Sequence, residues 1–209
     1  MRVDLYTAIH KAQRFHMFQL ANAIGGADME SDRAATALAD QLRDMIEHLR
    51  DHARNEETYI HPLFDGVGTG AAALRHEHDE LEADLEELER VLGGGRHQNL
   101  YPAYTRFLGR YLLHLSEEEE AQREVLWRRY DDDTLRGVLG RFKTERPLDK
   151  AAADFEFMLP ALSAQELATL FRGMKQAVAP DVFDRACDQA RCLVAADKWQ
   201  RVAIEIAAG

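Results

Sequence analysis

The sequence predicts an all-α protein: an up-down-up-down four-helix bundle over residues 1–130, followed by further helices over 131–209. Three observations predict it. Apolar residues recur at steps of three and four through four long stretches, about 4–24, 32–62, 71–92 and 100–130. That is the period of a helix with one buried face. The breaks between them are short and carry Gly25-Gly26-Ala27-Asp28, then Pro62 with Gly66, Gly68 and Gly70, then Gly93-Gly94-Gly95. Short connections make successive helices antiparallel neighbours. No run shows the two-residue alternation of a strand.

The first stretch threads Tyr6, His10, Gln13, Met17, Leu20 and Ile24 on one face. The second carries Leu38, Leu42, Met45, Leu49, His52, Glu56 and Ile60, and the third Leu74, His78, Leu81, Leu85, Leu88 and Leu92. On the fourth, Phe107, Tyr111, His114, Glu118 and Val125 share a face. Every stripe is interrupted by a histidine where a core demands an apolar residue. Twice the histidine is followed four residues later by a glutamate, His52 with Glu56 and His114 with Glu118, so imidazole and carboxylate point the same way one turn apart. A buried carboxylate is costly unless it is paired, protonated or bound to a cation. Two of them in one small bundle point to a metal.

Registry supports the same grouping. His78 lies fourteen residues before Leu92, and His114 fourteen after Leu100. Equal distances from a short turn put two residues of an antiparallel pair at one level, roughly 21 Å from the turn. His10 lies early in its helix and His52 and Glu56 late in theirs, so four helices can meet at one layer. The remaining histidines fall elsewhere. His76 shares a face with Glu80 and Glu87, His16 points away from His10, and His48 is a turn before His52 on an amphipathic face. His61 sits at a helix end before Pro62, where a cap-like or surface role is expected, and His97 falls in a loop. Tyr111 and Tyr59 stand near the paired motifs, with core packing as their expected job.

Residues 131–209 read as helical but more broken. Ser163-Ala-Gln-Glu166 forms a capping box opening a helix toward Met174, Pro180 suits a first helical turn, and Asp197 can cap a last helix through Ile206. All nine histidines lie between His10 and His114, which separates a site-bearing part, 1–130, from an extension, 131–209, without that chemistry. Cys187 and Cys192 are five apart, a spacing that fits neither a zinc ribbon nor a redox pair, and are expected as reduced, packed thiols.

The formal charge of −11, from 26 basic and 37 acidic residues, opposes binding to nucleic acid or anionic lipid. No stretch approaches the length of an apolar membrane span, and Met1-Arg2-Val3-Asp4 opens no apolar leader, so a cytoplasmic protein is expected. Four imidazoles and two carboxylates without a thiolate suit iron first, manganese second and zinc last. Six groups exceed the demand of a tetrahedral zinc site. Shared over two ions they give two histidines to each, with Glu56 and Glu118 free to bridge and positions open to oxygen, peroxide or nitric oxide.

His10-Lys-Ala-Gln-Arg14, His52-Ala-Arg-Asn-Glu56-Glu57 running into His61-Pro62-Leu63-Phe64, Glu77-His78-Asp79-Glu80-Leu81, and His114-Leu-Ser-Glu117-Glu118-Glu119 resemble, in order, the motifs of the hemerythrin-like (HHE cation-binding) family. The resemblance covers about residues 5–130. It implies a bundle holding two iron ions in an oxo- or hydroxo-bridged di-iron centre, with His10, His52, His78 and His114 as terminal ligands and Glu56 and Glu118 bridging. Where oxygen-carrying members have a further histidine one turn on in the third helix, this chain has Glu82. That departure brings it nearer the branch linked to iron–sulfur repair under nitrosative stress and to iron sensing. Residues 131–209, including Phe157 to Ser163, look like an extension found on some bacterial members. The expected function is a non-heme di-iron protein that binds or responds to oxygen, peroxide or nitric oxide in sensing, storage or stress protection. The competing expectations are a di-iron enzyme consuming peroxide or nitric oxide, and an interaction module whose residues 131–209 engage a protein partner or a second copy.

Overall fold

The computed structural model describes residues 2–27, 32–66, 70–94 and 99–208. The expected breaks at Asp28, Gly68 and Gly95, and His97, lie outside the described residues. Helices α1 (Thr7–Gly26), α2 (Asp32–Tyr59), α3 (Gly70–Gly93) and α4 (Leu100–Ala121) are followed by α5 (Trp127–Arg129), α6 (Asp132–Glu145), α7 (Leu148–Met158), α8 (Ala164–Ala177), α9 (Pro180–Leu193) and α10 (Ala196–Ala208). Among the described residues there is no strand, and no helix is long and apolar enough to cross a membrane. The protein is all-α, as the periodicity predicts.

Two compact units can be distinguished, residues 1–7 with 14–145, and residues 8–13 with 146–209. In the first, polar contacts fix the antiparallel order. Arg50 on α2 pairs with Glu82 and Glu89 on α3, Arg110 on α4 pairs with Asp84 on α3, and Arg14 on α1 pairs with Glu119 on α4 at 2.6 Å. The rings of His78 and His114 lie 4.9 Å apart, so the level predicted from the α3–α4 turn is the level observed. The expected stripes are buried on α1 and α3 throughout, and on α2 except for the half-buried Ile60.

Three helix ends differ from expectation, each for a local reason. The first helix begins at Thr7 rather than near residue 4, because the Asp4 side chain accepts the backbone N–H groups of Tyr6 (3.0 Å) and Thr7 (2.8 Å) ahead of the first turn. The second stops at Tyr59, since Pro62 has no N–H for the helical ladder, and a tight 3-10 turn, His61–Phe64, follows. The fourth widens into a π-turn at Gln122–Leu126. That extra residue buries Gln122 and Leu126 and leaves Val125, expected on the stripe, only half-buried.

The expected end of the bundle near 130 falls inside the first unit. Tyr130 donates to the Leu63 carbonyl (2.9 Å), Tyr59 donates to Glu145 on α6 (3.0 Å), and Leu135 is buried with Leu5, Tyr6, Phe64, Leu74 and Leu126.

Residues 146–209 enclose an apolar core of their own. Phe171 and Trp199 meet edge to face at 5.1 Å among Leu167, Ala168, Ala190 and Val202. The predicted capping box is present: the Ser163 hydroxyl accepts the Glu166 N–H, and Glu166 accepts the Ser163 N–H at 2.8 Å. Lys11 adds a 2.7 Å ion pair to Glu166 within the same unit. Pro180 opens α9 as expected. Asp197 lies inside the first turn of α10 rather than at its cap. Both cysteines are free thiols; Cys187 is packed, but Cys192 is exposed, contrary to the expectation of two packed thiols.

Candidate metal centre

Helical phase carries four polar side chains of the first unit into its interior, and the 3-10 turn adds a fifth. Glu56, His61, His78 and Glu118 each offer a ligand atom, all within 4.8 Å of one another, and all four residues are buried. His78 Nε2 stands 3.6 Å from Glu56 Oε2 and 3.5 Å from Glu118 Oε1. His61 Nε2 is 3.6 Å from Glu118 Oε1, and His114 Nε2 is 3.4 Å from Glu118 Oε2. His52 Nε2 faces Glu56 Oε1 at 2.9 Å. The His61 ring stacks on His78 at 4.8 Å, and His78 meets His114 edge on. His10, the remaining expected ligand, is fully buried on α1.

Outside this cluster two further carboxylates hold the imidazoles from behind. Glu57 meets His78 Nδ1 at 3.0 Å, and Glu77 meets His114 Nδ1 at 2.8 Å. Each accepts the Nδ1–H, which places the proton on the outer nitrogen and turns the Nε2 lone pair inward. Sequence reading passed over both residues. Glu57 neighbours Glu56 and Glu77 neighbours His78, about 100° round the helix from each, which aims them at an adjacent helix rather than at the centre.

The electrostatics of the cluster call for positive charge. Desolvation works against an imidazolium at His78, but the carboxylates of Glu118 and Glu56 overcome it and push its pKa up to about 11. Burial and the Glu56 charge raise the Glu118 carboxyl; His61, His78 and His114 outweigh them and hold it below its ordinary value.

The donor set fits a first-row metal. Inward imidazole and carboxylate atoms at 3.4–3.6 Å are beyond hydrogen-bond length. Two ligand atoms about 2.1 Å from one ion and about 110° apart are separated by roughly 3.4 Å. Both ring nitrogens of His61 and Nε2 of His78 are buried and make no hydrogen bond to a described residue.

His61 corrects the sequence reading, which assigned it a cap-like or surface role; it is 0% exposed. Five residues past Glu56, an α-helix would turn it off the inner face. The 3-10 turn winds the chain tighter and buries His61 together with Phe64 three residues on, the spacing that eclipses in that geometry. The apolar Phe64 after Pro62 was the available signal.

The other expectations sort cleanly. His76 is exposed, and His16 and His48 are half-buried. Glu82 is held by Arg50 at 2.6 Å, so the position of the carriers' extra histidine is committed to an ion pair. Tyr59 turns to Phe142 and Glu145 on α6, whereas Tyr111 is buried with its ring 5.9 Å from that of His114. A cavity of about 140 Å³ opens beside His114, between Glu77, Asp84, Arg110 and Glu117.

Fold and site together define an all-helical protein with a buried histidine–carboxylate cluster that could hold a metal ion. The family model described as the hemerythrin HHE cation binding domain matches residues 1–126, and the chain belongs to that family. Comparison with curated proteins and with solved structures gives no match.

Proposed function

We propose that the first 145 residues house a non-heme di-iron centre that binds or responds to oxygen, peroxide or nitric oxide, in sensing or in protection against oxidative or nitrosative stress. The observation that carries the reading is the burial of two carboxylates, Glu56 at 2% and Glu118 at 0% exposure, among imidazoles whose inner nitrogens face them. In this reading His10, His52, His78 and His114 would be terminal ligands, Glu56 and Glu118 would supply the shared carboxylates, and His61 would add an imidazole beside His78. Bound there, iron supplies one-electron chemistry and coordination positions for a small oxygen or nitrogen ligand.

The chain's own residues set the conditions. Glu57 and Glu77 fix the tautomers of His78 and His114 and make both imidazoles stronger donors. The apolar stripes of α2 and α3 keep bulk water from the cluster, which strengthens each electrostatic contact inside it. The cavity beside His114 gives a small molecule an approach from solvent. Glu82, tied to Arg50, puts no imidazole at the carriers' extra position on α3, and the further imidazole comes instead from His61 in the 3-10 turn.

The test is anaerobic loading with ferrous iron followed by air, peroxide or nitric oxide. The expected result is a charge-transfer absorption that differs for each oxidant. Protein that stays colourless and iron-free after loading would sink the proposal.

A further inference from the structure

Ring-bearing residues follow one another along a single face of α4. Tyr101, Tyr104, Phe107, Tyr111 and His114 are spaced by three, three, four and three, which sets each one turn from the next on a helix. The rings of Tyr104 and Phe107 lie 6.2 Å apart, those of Phe107 and Tyr111 5.5 Å, and those of Tyr111 and His114 5.9 Å. Tyr104, Phe107, Tyr111 and His114 are buried, whereas Tyr101 is 50% exposed. His114 itself reaches the cluster through Nε2, 3.4 Å from Glu118 Oε2. The row therefore runs from the histidine–carboxylate cluster out to the surface.

Packing accounts for an aromatic row but not for its oxidisable members. Phe107 shows that a ring without a hydroxyl fits this face. The phenols at 104 and 111 add what a phenyl lacks: each can give up one electron together with its hydroxyl proton. The Tyr104 hydroxyl is held in place, donating to the Met17 carbonyl at 3.0 Å. Electron exchange weakens steeply with distance, so the donor nearest the centre acts first. Tyr111 meets an imidazole of the cluster directly. Tyr104 stands two turns behind it, about 10.5 Å along the helix, with Phe107 between them.

We infer that Tyr111 and Tyr104 give electrons to the metal centre when it reduces peroxide, Tyr111 first through the His114 imidazole and Tyr104 by refilling Tyr111, an inference that rests on the di-iron reading above. One peroxide takes up two electrons. Where the iron is already ferric, the two tyrosines supply them. Each loses one electron and its phenolic proton, the O–O bond breaks, and the two protons join those of the peroxide to make two waters. The iron ends ferric, as it began. Two tyrosyl radicals remain, one beside His114 and one two turns nearer the surface, so the oxidising equivalents leave the buried cluster without a diffusible oxidant.

Hydrogen peroxide serves as the probe, on full-length, iron-loaded, air-oxidised protein frozen soon after mixing, with electron paramagnetic resonance as the readout. The wild type should show an organic radical signal that narrows when its tyrosines carry ring deuterium. Tyr111→Phe should load the same iron, give the same charge-transfer absorption and lose the signal. Tyr104→Phe should keep a smaller signal, because the second electron has no donor two turns away. A signal of wild-type size in Tyr111→Phe, or no signal in a wild type whose iron absorption still responds to peroxide, would overturn the inference and leave the di-iron reading standing. If Tyr111→Phe does not fold, mass-spectrometric mapping of the peroxide-treated wild type decides. Oxidation marks on Tyr111 or Tyr104 that require bound iron support the inference; marks confined to other tyrosines, or none at all, overturn it. Wild-type protein that takes up no iron would overturn both.

Discussion

The first unit buries His52, Glu56, His61, His78, His114, Glu118 and Gln122, whereas none of the described buried polar or charged side chains lies in 146–209. The core around Phe171 and Trp199 is apolar, with the small thiol of Cys187 at its edge. A core of the second kind draws its stability from area removed from water. A core of the first kind gives up that gain across a whole layer and must recover it through charge balance. The contrast teaches where the chain's candidate chemistry is: the layer of buried imidazoles and carboxylates and the apolar core of 146–209 can be perturbed separately by experiment.

The largest expected effects set the two cores against each other. Phe171→Ala should destabilise the C-terminal unit by about 3–5 kcal/mol through the cavity it leaves, and leave iron content per chain unchanged. Calorimetry with elemental analysis checks it; loss of iron in this variant would break the contrast. Removal of iron should do the reverse, lowering the melting of the first unit by about 4 kcal/mol relative to protein held with free metal at a thousand times Kd, while melting of 146–209 stays put.

The metal-free first unit should also depend on pH in a direction set by His78. Its folded pKa, about 11, lies above the unfolded value of about 6.5. The stability it contributes is therefore fully present below about pH 6.5 and is lost as pH rises toward 11. A melting temperature of the metal-free protein that climbed with pH over that range would contradict this sign.

Smaller effects sharpen the comparison. Glu77→Gln and Glu57→Gln leave His114 and His78 in place but weaken the acceptor behind each, and should lower metal affinity about 10–100-fold; competition with a chelator measures it, and wild-type affinity in both would remove their positioning role. Smallest is Ser163→Ala, which should cost about 1 kcal/mol through loss of the α8 cap and should leave metal affinity untouched.

Much of this was legible in residue spacing. The stripe from Leu74 to Leu92 is buried at every predicted position, and the count of fourteen residues to either side of the α3–α4 turn brought His78 to His114. What spacing could not show lies where the helical period breaks. His61 enters the cluster through a 3-10 turn, and Leu126 replaces Val125 on the stripe through a π-turn; neither change of pitch is written in an apolar periodicity. Glu57 and Glu77 escaped because they act across helices, and their partners depend on how α3 packs against α2 and α4. The capping box at Ser163 needed no tertiary context and was read directly.

The most direct test of the central claim is the iron content of the purified full-length chain after anaerobic loading and desalting, compared with that of Glu118→Ala. The account predicts close to two iron ions per chain in the wild type. It predicts loss of at least one of them in Glu118→Ala, whose C-terminal unit still melts as in the wild type. An iron-free wild type, or a folded Glu118→Ala that retains the full complement, would contradict it.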